Sequence, residues 1–142
     1  MEQRSSTRPA LLLVDDDELW LKALKRLVRP MRSVAVQAET DVARALDCIA
    51  RGAPQIVVTD IDMHGDSAAG IAVVEAARRA GIPVAVVSSG PGEAERSKLV
   101  GVTIFDKARL AVGDCAAFLG HLSAFERDAA APPRVEAPAP QR

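Results

Sequence analysis

The feature that most constrains this fold is a series of short apolar runs, each of which stops abruptly at polar residues. Three of them lie at 10–14 (ALLLV), 56–59 (IVVT) and 84–87 (VAVV). A continuous apolar run of this length is typical of a strand buried on both faces, as the central strands of a parallel sheet are. Aromatic residues make up only 3% of the chain, so we expect a core built from Val, Leu, Ile and Ala.

Segments with helical spacing separate these runs. The alternating stretch 33–39 and the apolar stretch 102–105 predict two further strands. Between and after the strands, apolar residues recur every three or four positions, which predicts helices at about 20–31, 40–52, 71–81, 93–100 and 109–127. Thr40 is a good N-cap for the second helix, and Gly52 and Gly81 stand where the second and third helices should end.

The predicted elements alternate as βαβαβαβαβα. Strict alternation of strands and helices is typical of a parallel sheet with helices on both faces, and right-handed crossovers leave few topologies. Among doubly wound folds, the five-stranded order 2-1-3-4-5 is the flavodoxin-like one. We therefore expect an α/β, flavodoxin-like, doubly wound (βα)5 fold with a five-stranded parallel sheet.

The chain has the length of one domain, which we assign to residues 10–128. The polar start, 1–9, and the Pro/Ala-rich end, 129–142 (AAAPPRVEAPAPQR), are predicted to be a disordered N-terminus and a disordered tail or linker. A net charge of −1 argues against a protein that coats nucleic acid. The sequence offers no signal peptide and no run of membrane-spanning length, so we expect a cytoplasmic protein without membrane contact.

Chemically active residues follow four of the five predicted strands. Asp15 and Asp16 end the first strand, Asp60 the third and Ser88 the fourth, and Lys107 follows the fifth. Each has an ordinary structural explanation when taken alone, since Asp often caps a helix and most Ser and Lys side chains are solvated. Parallel sheets bind ligands at the carboxyl ends of their strands, however, and all five residues are predicted at that edge.

Together these residue types suit phosphoryl chemistry. Three carboxylates in one crevice repel each other unless a cation neutralises them, and Mg²⁺ is the ordinary divalent ion for oxygen ligands. A carboxylate such as Asp60 is also a nucleophile toward phosphorus and gives an acyl phosphate. Phosphoryl transfer needs mainly positioning and neutralisation of charge, which Mg²⁺ and the Lys107 ammonium would supply, while the Ser88 hydroxyl would bond a phosphoryl oxygen.

The same residues carry a family resemblance. The motifs LLLVDDDE, VVTDIDM, PVAVVSS and IFDK occur in this order and resemble the corresponding segments of response-regulator receiver domains, which belong to two-component, phosphorelay signal transduction. The resemblance extends from about Pro9 to Arg127. It implies that Asp60 accepts a phosphoryl group from the phosphohistidine of a sensor histidine kinase or a phosphotransfer protein. Ser88 and Lys107 would then contact that group.

The resemblance also implies how the cofactor, Mg²⁺, is held. Asp16 and Asp60 would ligate the ion through their side chains, Asp15 mostly through a water molecule, and Asp62 through its backbone carbonyl. The Asp62 side chain, two residues after the phosphorylation site, would influence attack by water on the acyl phosphate. A domain of this kind is not an enzyme, beyond slow removal of its own phosphoryl group.

Several positions depart from the pattern of the family. His64 stands where Pro is usual, and the loop 60–70 is about two residues longer than expected. The segment 88–107 is about three residues short, which shortens the fourth helix. Ala108 replaces a typical Pro, and Ile104 stands at the usual aromatic position of the fifth strand. We therefore expect the signal to be transmitted by an unusual route, and His64 itself to be a solvent-facing loop residue.

Two other interpretations stay open at this point. A pseudo-receiver would have the same fold and bind partners without phosphorylation. A haloacid-dehalogenase-like phosphatase would use an Asp-x-Asp pair like that in DIDMHGD, although such enzymes place it on the first strand. No recognition helix follows Arg127, so we expect an unknown output protein rather than direct contact with nucleic acid. A homodimer through the fourth helix, fifth strand and last helix is common in the family and is one expectation here.

Overall fold

The structure is a computed structural model, and it describes residues 10–31, 35–90 and 92–130. The elements are β1 (Ala10–Val14), α1 (Glu18–Val28), β2 (Ala35–Glu39), α2 (Val42–Ala50), β3 (Ile56–Thr59), α3 (Ser67–Arg79), β4 (Val84–Ser88), α4 (Glu93–Lys98), β5 (Thr103–Asp106), α5 (Lys107–Ala111) and α6 (Ala116–Ala130). All pairings are parallel, and the strand order is β2-β1-β3-β4-β5. The predicted doubly wound fold is confirmed.

Strand β1 lies inside the sheet and is buried on both faces, which explains its unbroken apolar sequence. Leu11 and Leu13 pack on one face with side chains of α1 and α6, whereas Leu12 and Val14 pack on the other with side chains of α2 and α3. All four are at most 1% exposed, and complete burial of such a side chain contributes about 1.5–3 kcal/mol. The alternation fixes the register of β1, because a slip by one residue would exchange the two faces.

The predicted ends of α2 and α3 are confirmed, but the predicted start of α2 is not. Gly52 and Gly81 adopt φ of +70° and +73° just after α2 and α3, the left-handed position at which Gly ends a helix. The prediction that Thr40 caps α2 is wrong. The cap is Asp41, whose carboxylate accepts a hydrogen bond of 3.0 Å from the N–H of Ala43. Since α2 begins at Val42, the residue directly before it is the one that reaches the free N–H groups.

The single last helix predicted over 109–127 is wrong, because the structure has two helices there. Helix α5 starts directly at Lys107 and ends at Ala111, and Gly113, two residues later, adopts φ of +92°. The N–H of Gly113 bonds the carbonyl of Leu110, and the N–H of Asp114 bonds that of Arg109. This pair of bonds closes a helix at a left-handed Gly, and α6 then begins at Ala116.

Some predictions concern residues outside the described ranges. These residues are 1–9 and 131–142 of the predicted termini, and the first two residues of the predicted strand 33–39. Helix α6 reaches Ala130, and the boundaries of the domain stay a prediction. In the described part of the chain, none of the helices has the length and apolar character that crossing a membrane requires.

Candidate functional site

Three carboxylates meet at the carboxyl edge of the sheet because β1 and β3 are neighbours. Val14 pairs with Thr59 at the ends of these strands, and the N–H of Asp60 donates to the carbonyl of Val14 over 2.9 Å. The residues that follow are therefore side by side. Asp15, Asp16 and Asp60 each place a carboxylate oxygen within 4.8 Å of the others. The sequence predicted this cluster, and its hard oxygen donors fit a divalent cation such as Mg²⁺.

The ammonium group of Lys107 joins this cluster from the far side of β4. Its Nζ lies 2.8 Å from Oδ2 of Asp15 and 3.1 Å from Oδ2 of Asp60. Lys107 is the first residue of α5, directly after β5, so its side chain starts at the same edge of the sheet as the carboxylates. One cation thus bridges the acidic residues of two strands.

Burial and pairing shift the pKa values of these groups in different directions. Burial raises the pKa of Asp15 to about 6, although its hydrogen bonds with Lys107 and with the N–H of Asp17 act the other way. Burial also tends to lower the pKa of Lys107, but the hydrogen bond and charge of Asp15 and the charge of Asp60 outweigh it and raise this pKa. Lys107 is therefore a permanent cation beside a carboxylate that titrates near neutrality.

The carboxylate of Asp60 is fixed by its own backbone surroundings. Its Oδ1 accepts a hydrogen bond of 2.7 Å from the N–H of Ile61, and the hydroxyl of Thr59 donates to the Asp60 carbonyl over 2.8 Å. Helix α3 passes this segment at Gly70, whose N–H donates to the carbonyl of Ile61 over 3.1 Å. A Cβ atom on Gly70 would overlap the backbone of Asp60 and Ile61, so only Gly permits this approach.

Ser88 ends β4 beside the acidic cluster. It is 5% exposed, and its Oγ accepts a hydrogen bond of 3.4 Å from the N–H of Gly90. A polar cavity of 390 Å³ separates Ser88 from the carboxylates. Residues after β1, β3, β4 and β5 form its wall: Asp16, Asp17, Asp60, Asp62, Ser88, Ser89, Gly90 and Lys107. The structure therefore brings Asp16, Asp60, Ser88 and Lys107 to one cavity large enough for a phosphoryl group, and the exposed Asp62 lies on its wall. Asp15 is buried behind this wall and reaches the site through Lys107.

The extra length of the loop after β3 forms a tight turn. His64 and Gly65 adopt φ of +55° and +74°, and Met63 and Asp66 exchange backbone hydrogen bonds of 3.2 and 2.9 Å across them. Positive φ at both central residues, with Gly second, is typical of the two-residue turns that close hairpins. Met63 itself is fully buried, which anchors the turn to the domain.

This turn reaches Asp16 at the carboxyl edge of the sheet, a contact that sequence reasoning missed. The N–H of His64 donates a hydrogen bond of 2.8 Å to Oδ2 of Asp16. That bond is the main reason why the pKa of Asp16 is lowered. The imidazole is largely exposed, as expected, and its Nδ1 lies 3.7 Å from the same oxygen. The sequence signal was the inserted His-Gly pair, which is a turn dipeptide.

Two departures from the pattern of the family, the shortened fourth helix and Ile104, are visible in the structure. Helix α4 has only six residues, Glu93–Lys98. Ile104 is half-buried and packs with the cluster that contains Val86 and Leu99, so the aromatic position of the family holds an aliphatic side chain here. The nearest aromatic ring, Phe105, contacts Phe118 of α6 edge-on at 5.3 Å between centroids, on the face of α1 and α6.

Comparisons with known proteins agree with this fold and site. The family model of the response regulator receiver domain matches residues 11–107, and no curated protein matches the chain. The chain is similar to a signal receiver domain of an HD domain-containing protein from Pseudomonas fluorescens Pf-5, with 17% identity, a TM-score of 0.61, and coverage of 89% of this chain and 97% of that one.

Two further solved structures show the same fold. One is the receiver domain of the histidine kinase CKI1 from Arabidopsis thaliana, complexed with Mg²⁺ and BeF₃⁻ (17% identity, TM-score 0.57, 80% of this chain and 90% of that one). The other is a DNA-binding response regulator of the LuxR family from Staphylococcus aureus (21% identity, TM-score 0.67, 83% and 98%).

The chain belongs to the response regulator receiver domain family. Receiver domains are signalling modules of two-component systems rather than enzymes in the usual sense. They bind Mg²⁺ at an acidic site and interact with histidine kinases or phosphotransfer proteins. The haloacid-dehalogenase interpretation loses its basis, since the Asp-x-Asp segment follows the third strand of a receiver fold.

Proposed function

We propose that Asp60 is the phospho-acceptor of a two-component system. The observation that carries this proposal is the convergence of Lys107 on both Asp15 and Asp60 at the wall of the 390 Å³ cavity. A cation beside a rigidly held carboxylate supplies the positioning and charge neutralisation on which phosphoryl transfer depends. The donor would be the phosphohistidine of a sensor histidine kinase or a phosphotransfer protein.

In the transfer, a carboxylate oxygen of Asp60 attacks the phosphorus of phosphohistidine. The new O–P bond forms as the P–N bond breaks, and the imidazole of the donor leaves with the electron pair. Lys107 moves from the Asp60 carboxylate to the phosphoryl oxygens, where negative charge now resides. The Ser88 hydroxyl, which now accepts a bond from the N–H of Gly90, rotates to donate to a phosphoryl oxygen.

The acidic residues fit the cofactor that the family uses. Asp16 and Asp60 would hold Mg²⁺ through their carboxylates, Asp62 through its backbone carbonyl and Asp15 through a water molecule. The ion, when bound, neutralises the carboxylates and the incoming phosphoryl oxygens. The N–H of His64 already holds one oxygen of Asp16, which leaves the other oxygen of that carboxylate for the ion.

Incubation with acetyl phosphate and Mg²⁺ tests the proposal. Intact-mass spectrometry should show the addition of one phosphoryl group to the wild type and none to Asp60→Asn. The matched control is Asp47→Asn, on the exposed side of α2, which should be modified like the wild type. A chain that takes up no phosphoryl group, or one that still does after Asp60→Asn, would identify a pseudo-receiver or a different acceptor.

We propose that the output is a contact with another protein, and sizing before and after phosphorylation tests it. A shift to a dimer would identify a second copy as the partner.

The predicted absence of nucleic-acid contact gains no support from the comparisons, because the similar Staphylococcus aureus structure is a DNA-binding regulator. That point and the cytoplasmic location stay predictions.

A further inference from the structure

The indole ring of Trp20 lies beside the ammonium group of Lys107. Trp20 is the third residue of α1 and the single tryptophan of the chain. The Nζ atom of Lys107 is 5.3 Å from the centroid of the ring, which is within the distance of about 6 Å at which a cation is attracted to an aromatic face. Sequence reasoning assigned Trp20 only to the apolar side of α1, where nothing pointed to a contact with the phosphoryl site.

The ring is held in place by packing. Trp20 is half-buried against the core cluster that contains Leu24 and Leu110, and it lines an apolar groove between α1 and α5. Within the part of the chain that the structure describes, its buried Nε1 has no hydrogen-bond partner. A buried N–H without a partner destabilises the folded state, and Phe or Leu would avoid that cost. Trp attracts a cation more strongly than Phe does, so the contact with Lys107 is a reason for an indole at this position despite that cost.

The ring adds a third contact to the ammonium group, beside the two carboxylates. An ammonium group has three N–H donors. The Oδ2 atoms of Asp15 and Asp60 lie 2.8 and 3.1 Å from Nζ of Lys107. A lysine side chain is long and flexible, so it loses conformational freedom when it is held in one orientation. The Trp20 ring, fixed on a helix, limits the alternative positions of Nζ and keeps the ammonium at the cavity.

We propose that Trp20 is a positioning residue, whose ring holds the Lys107 ammonium at the phosphoryl site and thereby raises the affinity of the site for a phosphoryl group. This inference rests on the proposed function, in which Lys107 contacts the phosphoryl oxygens. When Asp60 is modified, the negative charge moves outward and Nζ must follow it. Attraction to a ring face depends less on direction than a hydrogen bond does, so the ring still holds Nζ during this movement.

Two substitutions separate the ring face from the volume that it fills. Trp20→Phe keeps an aromatic face, whereas Trp20→Leu keeps an apolar side chain without one. Binding of BeF₃⁻ in the presence of Mg²⁺, followed by NMR, measures the affinity for a phosphoryl mimic. We expect Trp20→Phe to stay within about threefold of the wild type and Trp20→Leu to bind about fivefold to tenfold more weakly. Ile49→Val, a core change in α2 on the other face of the sheet, should lower the melting temperature and leave the affinity unchanged.

A second measurement does not depend on phosphoryl binding. In the free protein, the ring should shift the Hε resonances of Lys107 upfield in the wild type and in Trp20→Phe, but not in Trp20→Leu. Equal affinities of the Phe and Leu variants for BeF₃⁻, or an affinity of Ile49→Val as low as that of Trp20→Leu, would overturn the proposal. A wild type that binds no BeF₃⁻ would instead overturn the proposed function, while the Hε shifts would still report on the contact between ring and ammonium.

Discussion

The backbone N–H of His64 donates a hydrogen bond of 2.8 Å to Oδ2 of Asp16 across 48 residues of sequence. The bond exists because the extra residues after β3 form a turn with positive φ at His64 and Gly65. A Pro at position 64, which is usual in the family, has no N–H and a fixed negative φ. The longer loop therefore gives the Asp16 carboxylate a hydrogen-bond donor that a Pro could not supply.

This bond predicts different effects for two substitutions of His64. His64→Gly keeps the N–H and adopts the positive φ without strain, so its Mg²⁺ affinity should stay within about twofold of the wild type. His64→Pro removes the donor, and loss of a hydrogen bond to a charged group should weaken Mg²⁺ binding about tenfold. Titration with Mg²⁺ by isothermal calorimetry gives both values. Equal affinities of the two variants would show that the bond does not position Asp16.

Gly70 provides a prediction about the support behind Asp60. A Cβ atom on Gly70 would overlap the backbone of Asp60 and Ile61, so Gly70→Ala must separate α3 from β3. We expect a loss of about 2–4 kcal/mol in the free energy of unfolding, measured with urea. The matched control is Gly120→Ala in α6, where a Cβ would meet nothing within 4 Å. It should be neutral or stabilise the protein by up to about 1 kcal/mol, and a similar loss in both variants would contradict the steric argument.

Sequence patterns predicted the features of this domain that depend on burial and on chain order. The apolar runs identified the three central strands, because a doubly buried strand admits almost no polar residues. Asp15, Asp60 and Lys107 met as expected because parallel strands end at one edge. Features set by local dihedral angles were predicted only in part: Gly52 and Gly81 end helices as expected. Gly113 was assigned to the inside of a helix although it ends one, since Gly at a helix end and Gly within a helix look alike in sequence.

The contacts of His64 and Trp20 were missed for a different reason. Each joins segments that are far apart in sequence, through a backbone N–H in one case and a ring face in the other. Neither an N–H nor a ring face distinguishes one residue from its neighbours in a pattern of polar and apolar positions. Such contacts require the path of the loop and the orientation of the helix, which only the three-dimensional structure provides.

The hydrogen bond between Ser67 and Glu95 predicts local rather than global stabilisation. The Ser67 hydroxyl donates to Oε2 of Glu95 over 3.0 Å, which ties the first turn of α3 to the short helix α4. Both residues line a cavity of 290 Å³ that also reaches Ser88. Ser67→Ala should speed amide hydrogen exchange in α4 severalfold, with little change in the other helices, because a short exposed helix opens independently.

Glu95→Gln is the matched control for that bond, because its amide oxygen still accepts from Ser67. Exchange in α4 should then stay close to that of the wild type. Faster exchange in Glu95→Gln than in Ser67→Ala would mean that the negative charge near the start of α4, rather than the bond to Ser67, holds the helix.

The raised pKa of Asp15 predicts how stability depends on pH in the absence of divalent ions. Burial raises this pKa from an ordinary value of 3.8 to about 6 in the folded protein. Between these values the folded state binds more protons than the unfolded state does, so the free energy of unfolding falls as the pH rises through this window. Asp15→Asn does not titrate there. Its stability relative to the wild type should therefore increase by about 1–3 kcal/mol from pH 4 to pH 7.

Urea denaturation in EDTA at several pH values measures this difference, in which the titration of groups that do not interact with Asp15 cancels. A constant difference between Asp15→Asn and the wild type would show that the carboxylate keeps an ordinary pKa in the folded state. The opposite trend, in which the wild type gains stability with pH, would mean that the ion pair with Lys107 outweighs the burial of Asp15.

The position of Asp62 predicts an effect on the lifetime of the phosphorylated state. Its side chain is exposed and lines the cavity that contains Asp60, where a carboxylate can accept a hydrogen bond from the attacking water. Asp62→Ala should therefore lengthen the half-life of the aspartyl phosphate by about threefold to tenfold, less than an enclosed general base contributes. Asp62→Asn keeps an acceptor of lower basicity, so its half-life should lie between those of the wild type and Asp62→Ala. Asp47→Ala on α2 should have the half-life of the wild type. Half-lives measured by the loss of phosphoryl mass that agree for all four proteins would exclude any part for Asp62 in hydrolysis.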